Sequence, residues 1–538
     1  MARYQYQPFD YVPPPELSDG KGRRHPVAIV GAGPVGLALA IDLALHDTPC
    51  VVLDDNNVVS VGSRAICWSK RTLEIFDRLG VGERMVAKGV TWKVGRLYHR
   101  DREVYSFDLL PEAGHKNPAF INLQQYYVEQ YLVERAREFP RLIDLRFRNK
   151  VVAVAQDAAG VRAEVETPDG RYRVEADYLI ACDGANSPIR RMMNVAFHSR
   201  IFEEQFLITD IEMKADFPSE RWFWFDPSFH NGQSALLHKQ PDDIYRIDLQ
   251  LPADADPEHE KKPENVIPRI KAVVGDRPFE IDWTSLYRFQ CGRIDRFVHD
   301  RIIFAGDSAH VVSPFGARGG NGGIQDADNL AWKLAAVLAG KAPPALLETY
   351  NEERVHGADE NILNSSRSTN FMTPKTAFEQ ALRDEVLSLV GDHPFARRLV
   401  NSGRLSLPCS LAGFALQSDD DPELAGATAP GDACADAPVR DEAGRSGWLL
   451  DRLGTDFVLL TFGAAMPRQD LRQIVIAQAP VAGAATLIDT GGLAAQRYGA
   501  VEGAAYLIRP DQHVAARFAR PTPGRISAAL ARACGRRG

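Results

Sequence analysis

The sequence has no apolar run that approaches the roughly 18 residues of a membrane span. Residues 1–25 are polar and proline-rich, without the apolar segment of a secretory signal peptide. The chain also lacks a basic excess, since 63 Lys and Arg residues are outweighed by 71 Asp and Glu residues, for a net charge of −8. We therefore predict neither a membrane partner nor a nucleic-acid partner.

Cysteine is sparse as well. The seven cysteines are scattered along 538 residues, and no two of them form a CxxC pair. This pattern argues against a disulfide framework and against a zinc site, so we predict no metal and a reducing, cytoplasmic location. The hydrophobic content of 45% and the charged content of 25% are typical of a globular protein with several domains.

Residues 1–25 are predicted to form an extended arm that docks on the body of the protein or on a second subunit, or is disordered. A glycine-rich motif follows this arm. The apolar stretch 27–30 is followed at once by Gly31-Ala32-Gly33-Pro34-Val35-Gly36 and then by a helical pattern. A second apolar stretch, 50–53, ends in Asp54-Asp55. This is the arrangement of a dinucleotide-binding βαβ unit, in which the glycines approach a pyrophosphate and an acid binds the adenosine ribose. Asp54 is the preferred acid and Asp55 the alternative.

Two further apolar strands each end in a pair of glycine and aspartate. The first leads into Asp183-Gly184, within CDGANSPIR, and the second leads into Gly306-Asp307. After the latter, a glycine-rich loop feeds a helix that begins near Ile324. Free N–H groups and the helix dipole favour negative charge there. The alternative is an ordinary strand–loop–helix joint with flexible glycines.

Residues 197–290 differ from the flanking parts, because short segments alternate between apolar and polar residues as antiparallel strands do. The segment is rich in aromatic residues, including Trp222 and Trp224. Such strands either form ordinary core or line an apolar substrate pocket, and the pattern does not separate the two. Beyond the Pro/Ala/Gly/Asp-rich stretch 422–438, strands and helices predict a small α/β domain, in which the lack of CxxC excludes dithiol chemistry.

The three motifs, in this order around an inserted sheet, resemble the FAD-dependent aromatic hydroxylases, the single-component flavoprotein monooxygenases typified by p-hydroxybenzoate hydroxylase. The similarity is greatest to the longer branch, which includes 3-hydroxyphenylpropionate, phenol and polyketide hydroxylases. The resemblance implies an α/β fold with a Rossmann-type FAD-binding domain, an inserted antiparallel substrate sheet and a thioredoxin-like C-terminal domain. The implied domains are an arm (1–25), the FAD-binding domain (26–196 and, with further helices, 291–400), the substrate sheet (197–290) and the C-terminal domain after a linker (401–538).

The resemblance also assigns roles to single residues. The implied cofactor-binding residues are Gly31, Gly33, Pro34 and Gly36 at the FAD pyrophosphate, Asp54 or Asp55 at the ribose, Arg64 at the cofactor, Gln125 near the ribityl chain, Val151 at the adenine, Asp307 at the ribityl hydroxyls, Pro314, Gly319, Gly320 and Asn321 at the flavin ring, and Asp183 and Arg190 at both FAD and NAD(P)H. From the residues alone, Arg64 is equally well a surface charge, and Gln125 a helix cap.

The implied reaction puts one oxygen atom of O2 on a phenolic ring through a C4a-hydroperoxyflavin, with NAD(P)H as co-substrate and a homodimer as a candidate assembly. Such an intermediate must be kept from water. Candidates for a base or anchor are His238, Tyr245 and Arg246, each more often structural, and candidates for substrate contact are Trp222, Trp224 and Pro314. His310 is interpreted as a loop-fixing residue. The alternatives are a flavin oxidase, dehydrogenase or halogenase, or a non-enzymatic flavin-binding protein, although the WxWxIP-like motif of halogenases is absent.

Overall fold

A computed structural model describes residues 4–19, 22–62, 64–230, 232–314, 316–400, 407–424, 428–467 and 471–536. Parts of the predicted arm (1–3 and 20–21), of the predicted linker (425–427) and the start of the predicted C-terminal domain (401–406) lie outside these residues. None of the helices in the described part of the chain combines the length and the apolarity that crossing a bilayer requires.

The first third of the chain alternates strands with helices. Its elements are α1 Pro15–Asp19, β1 Arg23–Val30, α2 Pro34–Leu45, β2 Cys50–Asp54, β3 Cys67–Ser69, α3 Lys70–Leu79, α4 Gly82–Lys88, β4 Val90–Trp92, β5 Val94–His99, β6 Arg102–Asp108, β7 Phe120–Asn122, α5 Gln125–Ala136, β8 Ile143–Phe147, β9 Lys150–Asp157, β10 Gly160–Thr167, β11 Gly170–Ala181 and α6 Pro188–Met192.

The middle third begins with strands and ends with long helices. Its elements are β12 His198–Glu212, β13 Arg221–Phe225, β14 Ser234–Lys239, β15 Ile244–Leu251, α7 Pro257–Glu260, α8 Pro263–Val274, β16 Glu280–Arg293, β17 Val298–His299, β18 Ile302–Phe304, a 3₁₀ turn Gly306–Ser308, β19 His310–Val311, α9 Gly319–Leu338, α10 Leu346–Met372, α11 Ala377–Leu389 and α12 Pro394–Val400.

The last part is a smaller α/β unit. Its elements are β20 Pro438–Arg440, β21 Ser446–Trp448, α13 Leu449–Leu453, β22 Val458–Phe462, β23 Arg472–Ala477, β24 Thr486–Ile488, α14 Leu493–Tyr498, β25 Ala505–Ile508, β26 Val514–Phe518 and α15 Pro523–Ala533. The predicted α/β class is thereby confirmed.

The first large sheet carries the glycine motifs. Its strands run in the order β17-β18-β11-β1-β2-β8, and β18, β11, β1, β2 and β8 pair in parallel. Residues Val27 to Ile29 and Val51 to Leu53 are fully buried, as expected for parallel strands covered on both faces. Because the strands are parallel, their carboxyl ends all meet at one edge of the sheet, and the three motifs follow those ends.

The second large sheet has the order β19-β16-β12-β15-β14-β13-β5-β6 and contains the strands predicted within residues 197–290. Its neighbouring strands pair antiparallel, except β13 and β5, which pair in parallel. It is wider than the sequence indicated, because the hairpin β5–β6, from residues 94–108, adds to β13. One face packs on α8 through Val266, Ile270 and Val274. The other face carries Phe206, Ile208 and Leu236 and packs with Met372 and Leu387 of the helices that follow the glycine loop.

The described part of the N-terminal arm docks on the protein rather than lying free. Phe9 stacks on Phe147 with the ring centroids 4.5 Å apart. Glu16, which is buried, accepts two hydrogen bonds of 3.1 Å from the Arg146 guanidinium. The first strand already begins at Arg23, so the predicted arm of residues 1–25 overlaps it by a few residues.

The C-terminal unit is joined to the rest of the chain by buried charges. Arg509 donates to both carboxylate oxygens of Glu353 on α10, at 2.8 and 3.1 Å. Lys333 on α9 contacts the same carboxylate at 2.7 Å, and Arg71 on α3 donates to the Asp511 carbonyl oxygen at 2.6 Å. All of these side chains are buried, so this contact surface is polar and shielded from solvent.

Candidate functional site

The three glycine motifs come together at the carboxyl edge of the parallel sheet. The Gly31 N–H donates to the Leu53 carbonyl oxygen (2.8 Å), and the Cys182 N–H donates to that of Val30 (2.8 Å). Asp54 ends β2 and Asp307 follows β18, so three strand spacings, roughly 14 Å, separate them along one edge. A cleft along this edge suits an extended dinucleotide, with one acid near each end.

The glycines of the first motif are required for different structural reasons. A Cβ on Gly31, whose φ is +107°, would lie 2.4 Å from the Cys182 carbonyl oxygen, and a Cβ on Gly36 would lie 2.0 Å from that of Gly31. These two glycines allow the backbone to pack on itself. Gly33 instead faces open space, since a Cβ there would meet no atom within 4 Å. Gly33 therefore leaves room for a ligand at the start of α2.

The first and third motifs also touch each other through Val35 on α2. A Cβ on Gly306 would lie 2.9 Å from a Val35 methyl group, and a Cβ on Gly323 would lie 2.6 Å from one. Glycine at these positions lets α2, the 3₁₀ turn and α9 approach closely. The two helix N-termini therefore border the same cleft.

Asp54, and not Asp55, lies against the glycine loop. The Asp54 carboxylate accepts hydrogen bonds from the backbone N–H groups of Ala32 (2.5 Å) and Asn56 (2.8 Å), whereas Asp55 is exposed. Burial raises the pKa of Asp54 to about 6, against the lowering effect of these two hydrogen bonds. A partly protonated carboxyl at this depth is suited to gain from further hydrogen-bond donors, such as ribose hydroxyls.

Asp307 is reached by solvent although it lies deep among protein atoms. Its side chain is exposed, yet desolvation raises its pKa, with His310 and Arg64 as the nearest opposing charges. A carboxylate on the floor of a narrow cleft is both reached by solvent and desolvated by the surrounding protein atoms. The side chain is therefore available to a ligand that fills this cleft.

A buried network holds the 3₁₀ turn from below. The Gly306 N–H donates to Asp326 Oδ2 (3.0 Å), and the His310 ring bonds the same oxygen through Nε2 (2.7 Å). Arg354 donates to Asp326 Oδ1 (2.7 Å). His310 thus fixes the loop, as interpreted from the sequence. Its carboxylate partner, Asp326, is already bonded to Arg354 and to the Gly306 N–H.

The second motif is tied to the third by Arg190. Its guanidinium donates to the carbonyl oxygens of Ser308 (2.9 Å) and Ala185 (2.6 Å). Asp183 accepts a hydrogen bond from the Ile189 N–H (2.9 Å) through Oδ2, while its Oδ1 is buried without a partner. The orphaned oxygen is one place where a bound group would satisfy the protein.

Arg64, Gln125 and Val151 surround the other side of the cleft. Gln125 accepts from the Ala65 N–H (3.1 Å) and donates to Ser60 Oγ (3.0 Å), so it holds the loop that carries Arg64. The exposed Arg64 lowers the pKa values of Asp307 and Glu129, which places its charge near both. Val151 is buried at the start of β9, two residues after Asn149, whose N–H donates to the Asp54 carbonyl oxygen (2.7 Å).

The N-terminus of α9 completes the cleft. Gly319 and Gly320 form its first turn, and the N-cap Arg318 supplies no side-chain cap, so backbone N–H groups stay available. The Asn321 side chain accepts from the Ser69 N–H and donates to the Cys67 carbonyl oxygen, each at 2.9 Å, so it joins α9 to β3. Pro314 is exposed in the preceding loop.

These residues fit FAD. The open cradle at Gly33, the orphaned oxygen of Asp183, and the accessible carboxylates of Asp54 and Asp307 match a pyrophosphate flanked by hydroxyl-bearing groups. Among the described residues, no group of three or more His, Cys, Asp and Glu side chains is arranged for a metal ion.

A polar row crosses the inner face of the second sheet. The register pairs Arg221 with His238, His238 with Arg246, and Arg246 with Asp210, on four neighbouring strands. All four residues are buried. Arg246 is committed within the row, because it forms an ion pair with Asp210 (2.9 Å) and donates to the Arg64 carbonyl oxygen (3.0 Å).

His238 and Asp248 extend this row with unusual pKa values. Burial and the neighbouring arginines hold the pKa of His238 well below its usual range, so the imidazole is neutral. Burial raises the pKa of Asp248 to about 6. The two side chains approach to 3.9 Å, and His238 Nδ1 and Asp248 Oδ1 are buried without partners.

Three of the sequence-predicted residues lie on the opposite face. Trp222 and Trp224 alternate with Arg221 and pack with the cluster that contacts α8. Tyr245 belongs to the same cluster and donates to the Ala215 carbonyl oxygen (2.8 Å). These three side chains point away from the polar row, because alternate residues of a strand point to opposite faces, and their roles as base, anchor or substrate contact stay predictions.

Sequence reasoning did not single out Arg221 and Asp248, which belong to this polar row, or Trp92, whose ring centroid lies 6.0 Å from the Arg221 guanidinium. Trp92, on the small sheet β3-β7-β4, stacks on Phe120 (4.9 Å) and packs with Ala317 of the glycine loop. The only available signal was the alternation of RWFWF, which groups Arg221 with Phe223 and Phe225. The pattern does not indicate which face borders the cofactor cleft.

Comparison with known proteins indicates FAD as the cofactor. Residues 24–365 match the family model described as an FAD binding domain. A flavin-dependent monooxygenase of Mycobacteroides abscessus is 33% identical, over 82% of this chain and 89% of that protein. A probable NADH-specific resorcinol 4-hydroxylase of Rhodococcus jostii is 30% identical, over 92% of each. The crystal structure of the flavin-dependent monooxygenase PieE, with FAD and substrate, has a TM-score of 0.80 at 24% identity and covers 96% of this chain and 100% of that one.

The chain belongs to the family of FAD-dependent aromatic hydroxylases. It is a flavin-dependent monooxygenase, and FAD is its cofactor. The sequence-based predictions of family, cofactor and enzyme class are confirmed.

FAD affinity is expected to rise with pH up to about 6, the pKa of Asp54 in the protein without cofactor. Ribose hydroxyls that donate to the ionised carboxylate lower this pKa, so binding releases a proton below pH 6 and affinity falls as pH decreases. Flavin fluorescence titrations between pH 5 and 8 would measure this pH dependence of FAD affinity. The Asp54→Asn variant is expected to bind FAD weakly and with an affinity that does not depend on pH in this range, whereas Asp55→Asn should keep the pH dependence of the wild type. If Asp54→Asn kept the wild-type dependence of FAD affinity on pH, the assignment of Asp54 to the ribose would be contradicted.

Proposed function

We propose that the enzyme hydroxylates a phenolic ring held between the inner face of the second sheet and the N-terminus of α9, with NADH or NADPH as reductant and O2 as oxidant. The single observation that carries this proposal is the composition of that face. A row of buried polar side chains, from Arg221 to Asp210, lies beside aromatic residues such as Phe206 and Phe289. Relatives named as resorcinol and 3-(3-hydroxyphenyl)propionate hydroxylases support a phenolic substrate.

The roles that we propose for the residues follow from their positions in the site. Gly33 admits the pyrophosphate, Gly31 and Gly36 let the loop pack closely around it, and Asp54 and Asp307 orient the two ends of the cofactor. When bound, FAD supplies the redox chemistry with the nicotinamide and O2. The first turn of α9 presents N–H groups to developing negative charge. The small sheet, with Trp92 and Phe120, keeps water from the ring.

His238 is the residue that we assign to the phenolic proton. Its imidazole is neutral at neutral pH, so one ring nitrogen can accept a hydrogen bond from the phenol. Because burial and the arginines lower its pKa, it takes up the proton only where a neighbouring carboxylate stabilises the imidazolium. The nearby Asp248 carboxyl, with a pKa of about 6, can stabilise the resulting cation. A phenol that gives up its proton becomes a better nucleophile toward the activated oxygen.

The C-terminal unit is proposed to be a thioredoxin-like domain. Its strand order β24-β23-β22-β25-β26, with β22 and β23 parallel and β25 and β26 antiparallel, supports this assignment. The residues after the central strand β22 are Gly463-Ala464-Ala465-Met466, with no cysteine, so its role is docking rather than dithiol exchange. The domain boundaries given above, a homodimer and a cytoplasmic location remain part of this proposal.

The proposal is tested by product analysis with the purified holoenzyme. Resorcinol and 3-(3-hydroxyphenyl)propionate are supplied with NADH or NADPH, and the product is followed by mass. We expect one added oxygen atom per NAD(P)H consumed, derived from O2, on at least one phenol. Peroxide release equal to the reductant consumed, with no hydroxylated product, would instead favour the oxidase alternative.

A further inference from the structure

The loop that joins β2 to β3 borders the cofactor cleft. It covers residues 55–66, of which residue 63 lies outside the described part of the chain. Asp54, which precedes the loop, lies against the first glycine motif. Burial raises the pKa of Asp307 and the charge of Arg64, near the end of the loop, opposes that rise, so Arg64 lies near the cleft floor. In its described residues the loop forms neither helix nor strand, so its position depends on other elements.

Helix α5 and the second sheet hold the loop from the body of the protein. The Ser60 N–H and hydroxyl both donate to the Glu129 carboxylate, at 2.5 and 2.7 Å. Gly62, whose φ is +75°, packs on the second sheet so closely that a Cβ there would lie 2.4 Å from the Trp283 indole. These contacts fix the side of the loop that faces the protein.

The N-terminal arm contacts the same loop at two points. The Phe9 N–H donates to the Asn57 carbonyl oxygen (2.6 Å), and the Asn57 side-chain amide donates to the Phe9 carbonyl oxygen (3.0 Å). Three residues earlier in the arm, the Tyr6 hydroxyl accepts a hydrogen bond from the Gly62 N–H (3.1 Å). The arm therefore runs antiparallel to the loop and satisfies backbone groups that the loop does not pair within itself.

Aromatic packing anchors the arm on the elements beside the loop. Phe9 stacks on Phe147, the last residue of β8, with the ring centroids 4.5 Å apart. The Tyr6 ring lies 5.7 Å from that of Tyr126 in the first turn of α5, and the Tyr4 ring lies 4.2 Å from it. The arm is thus attached to β8 at one end of the loop and to α5 at the other.

We infer that residues 4–9 form a strap that holds this loop against bound FAD, with Tyr6 as its positioning residue. The inference rests on the placement of Asp54 and Arg64 at the cofactor and is independent of the substrate proposed above. A loop that is already ordered loses little conformational freedom when FAD binds, so FAD binds more tightly. FAD also leaves more slowly, because the strap must open before the loop moves aside.

The first test measures FAD release from full-length holoenzyme. Tyr6→Phe removes the hydroxyl that binds the Gly62 N–H and keeps the ring in its aromatic contacts. We expect FAD to dissociate about threefold to tenfold faster, as followed by the rise in flavin fluorescence after dilution. Phe9→Ala removes the stacking on Phe147 and should accelerate the release at least as much.

Tyr11→Phe is the matched control for Tyr6→Phe. Tyr11 belongs to the same arm, but its ring lies beside Arg148 (5.8 Å), and the hydrogen bonds from the arm to Asn57 and Gly62 come from Phe9 and Tyr6. Tyr11→Phe should therefore release FAD at the wild-type rate. Melting temperatures of the apoproteins confirm that each variant is folded.

A second readout follows from reciprocity, because a strap that favours bound FAD must itself be stabilised by FAD. Amide hydrogen exchange is followed by mass on peptides that cover residues 4–11 and 55–62. We expect exchange in both peptides to be about threefold to tenfold slower in the holoenzyme than in the apoprotein. In Tyr6→Phe this effect of FAD on the arm should shrink.

The outcomes decide the inference without any substrate. Wild-type FAD release in both Tyr6→Phe and Phe9→Ala, or arm exchange that FAD does not slow, overturns it. A merely structural role would lower the melting temperature of the apoprotein without changing FAD release. Equal acceleration in Tyr11→Phe and Tyr6→Phe would overturn the assignment to Tyr6. If no phenol gains oxygen, the proposed function fails, while FAD release and hydrogen exchange still decide whether the strap exists.

Discussion

A Gly33→Ala enzyme is expected to fold normally and to bind FAD at least about tenfold more weakly than the wild type. The backbone of Gly33 has φ −77° and ψ −177°, which alanine adopts without strain. The added methyl group would meet no protein atom within 4 Å, so the fold has no reason to change. It would occupy the space through which the pyrophosphate approaches the N-terminus of α2.

The measurement is FAD affinity together with melting temperature for the apoprotein. Gly36→Ala serves as the contrasting variant, because its Cβ would lie 2.0 Å from the Gly31 carbonyl oxygen and must displace backbone. Gly36→Ala should therefore lower the melting temperature of the apoprotein, at a cost of about 1–3 kcal/mol or more. Wild-type FAD affinity in Gly33→Ala would show that the pyrophosphate does not lie against this loop.

Glu353→Gln is expected to destabilise the protein by about 3–5 kcal/mol, because it leaves buried cations without their counter-ion. Glu353 binds Arg509 from the C-terminal unit and Lys333 from α9, and it accepts from Asn329 (2.7 Å). These two cations hold the pKa of Glu353 far below its usual range, while burial lowers the pKa of Lys333 to about 8. Among the described residues, the Asp511 carboxylate would remain as an ion-pair partner of Arg509.

The loss should appear as a lower melting temperature and as faster proteolysis between α12 and β20, because the C-terminal unit separates from α9 and α10. Glu352→Gln is the matched control, since Glu352 is the exposed neighbour on the same helix. Equal behaviour of the two variants would contradict the view that the buried carboxylate joins the units. Because we propose that α9 begins at the flavin, reduced FAD retention in Glu353→Gln is a further expected result.

The cofactor half of the site was accessible from the sequence because its signals are local. A strand, a glycine turn and a helix follow one another within the segment from Val27 to Leu45, and the acid Asp54 ends the next strand. The conformation of each piece depends on neighbouring residues, and parallel strands bring their carboxyl ends to one edge. The interpretation of His310 as a loop-fixing residue is also supported. Its partner Asp326 lies 16 residues further along the chain, just beyond the glycine loop, so both belong to one local segment.

The substrate half was not accessible in the same way. Alternation along RWFWF shows that Arg221 and Phe223 share one face and that Trp222 and Trp224 share the other, but both faces of this sheet are buried. The size and aromatic character of the tryptophans point to the face that packs on α8. The hairpin β5–β6 joins the sheet from a distant part of the chain, which no local pattern indicates.

By itself, the sequence determined the family, the cofactor and the order of the glycine motifs, because close backbone packing and strand-end acids require particular residue types at fixed spacings. Only the tertiary structure decided which face of the second sheet carries the row from Arg221 to Asp210 and which charges join the C-terminal unit to α9 and α10. Those outcomes depend on pairing between residues far apart in the chain, and a charged residue has the same letter whether its counter-ion is present or missing.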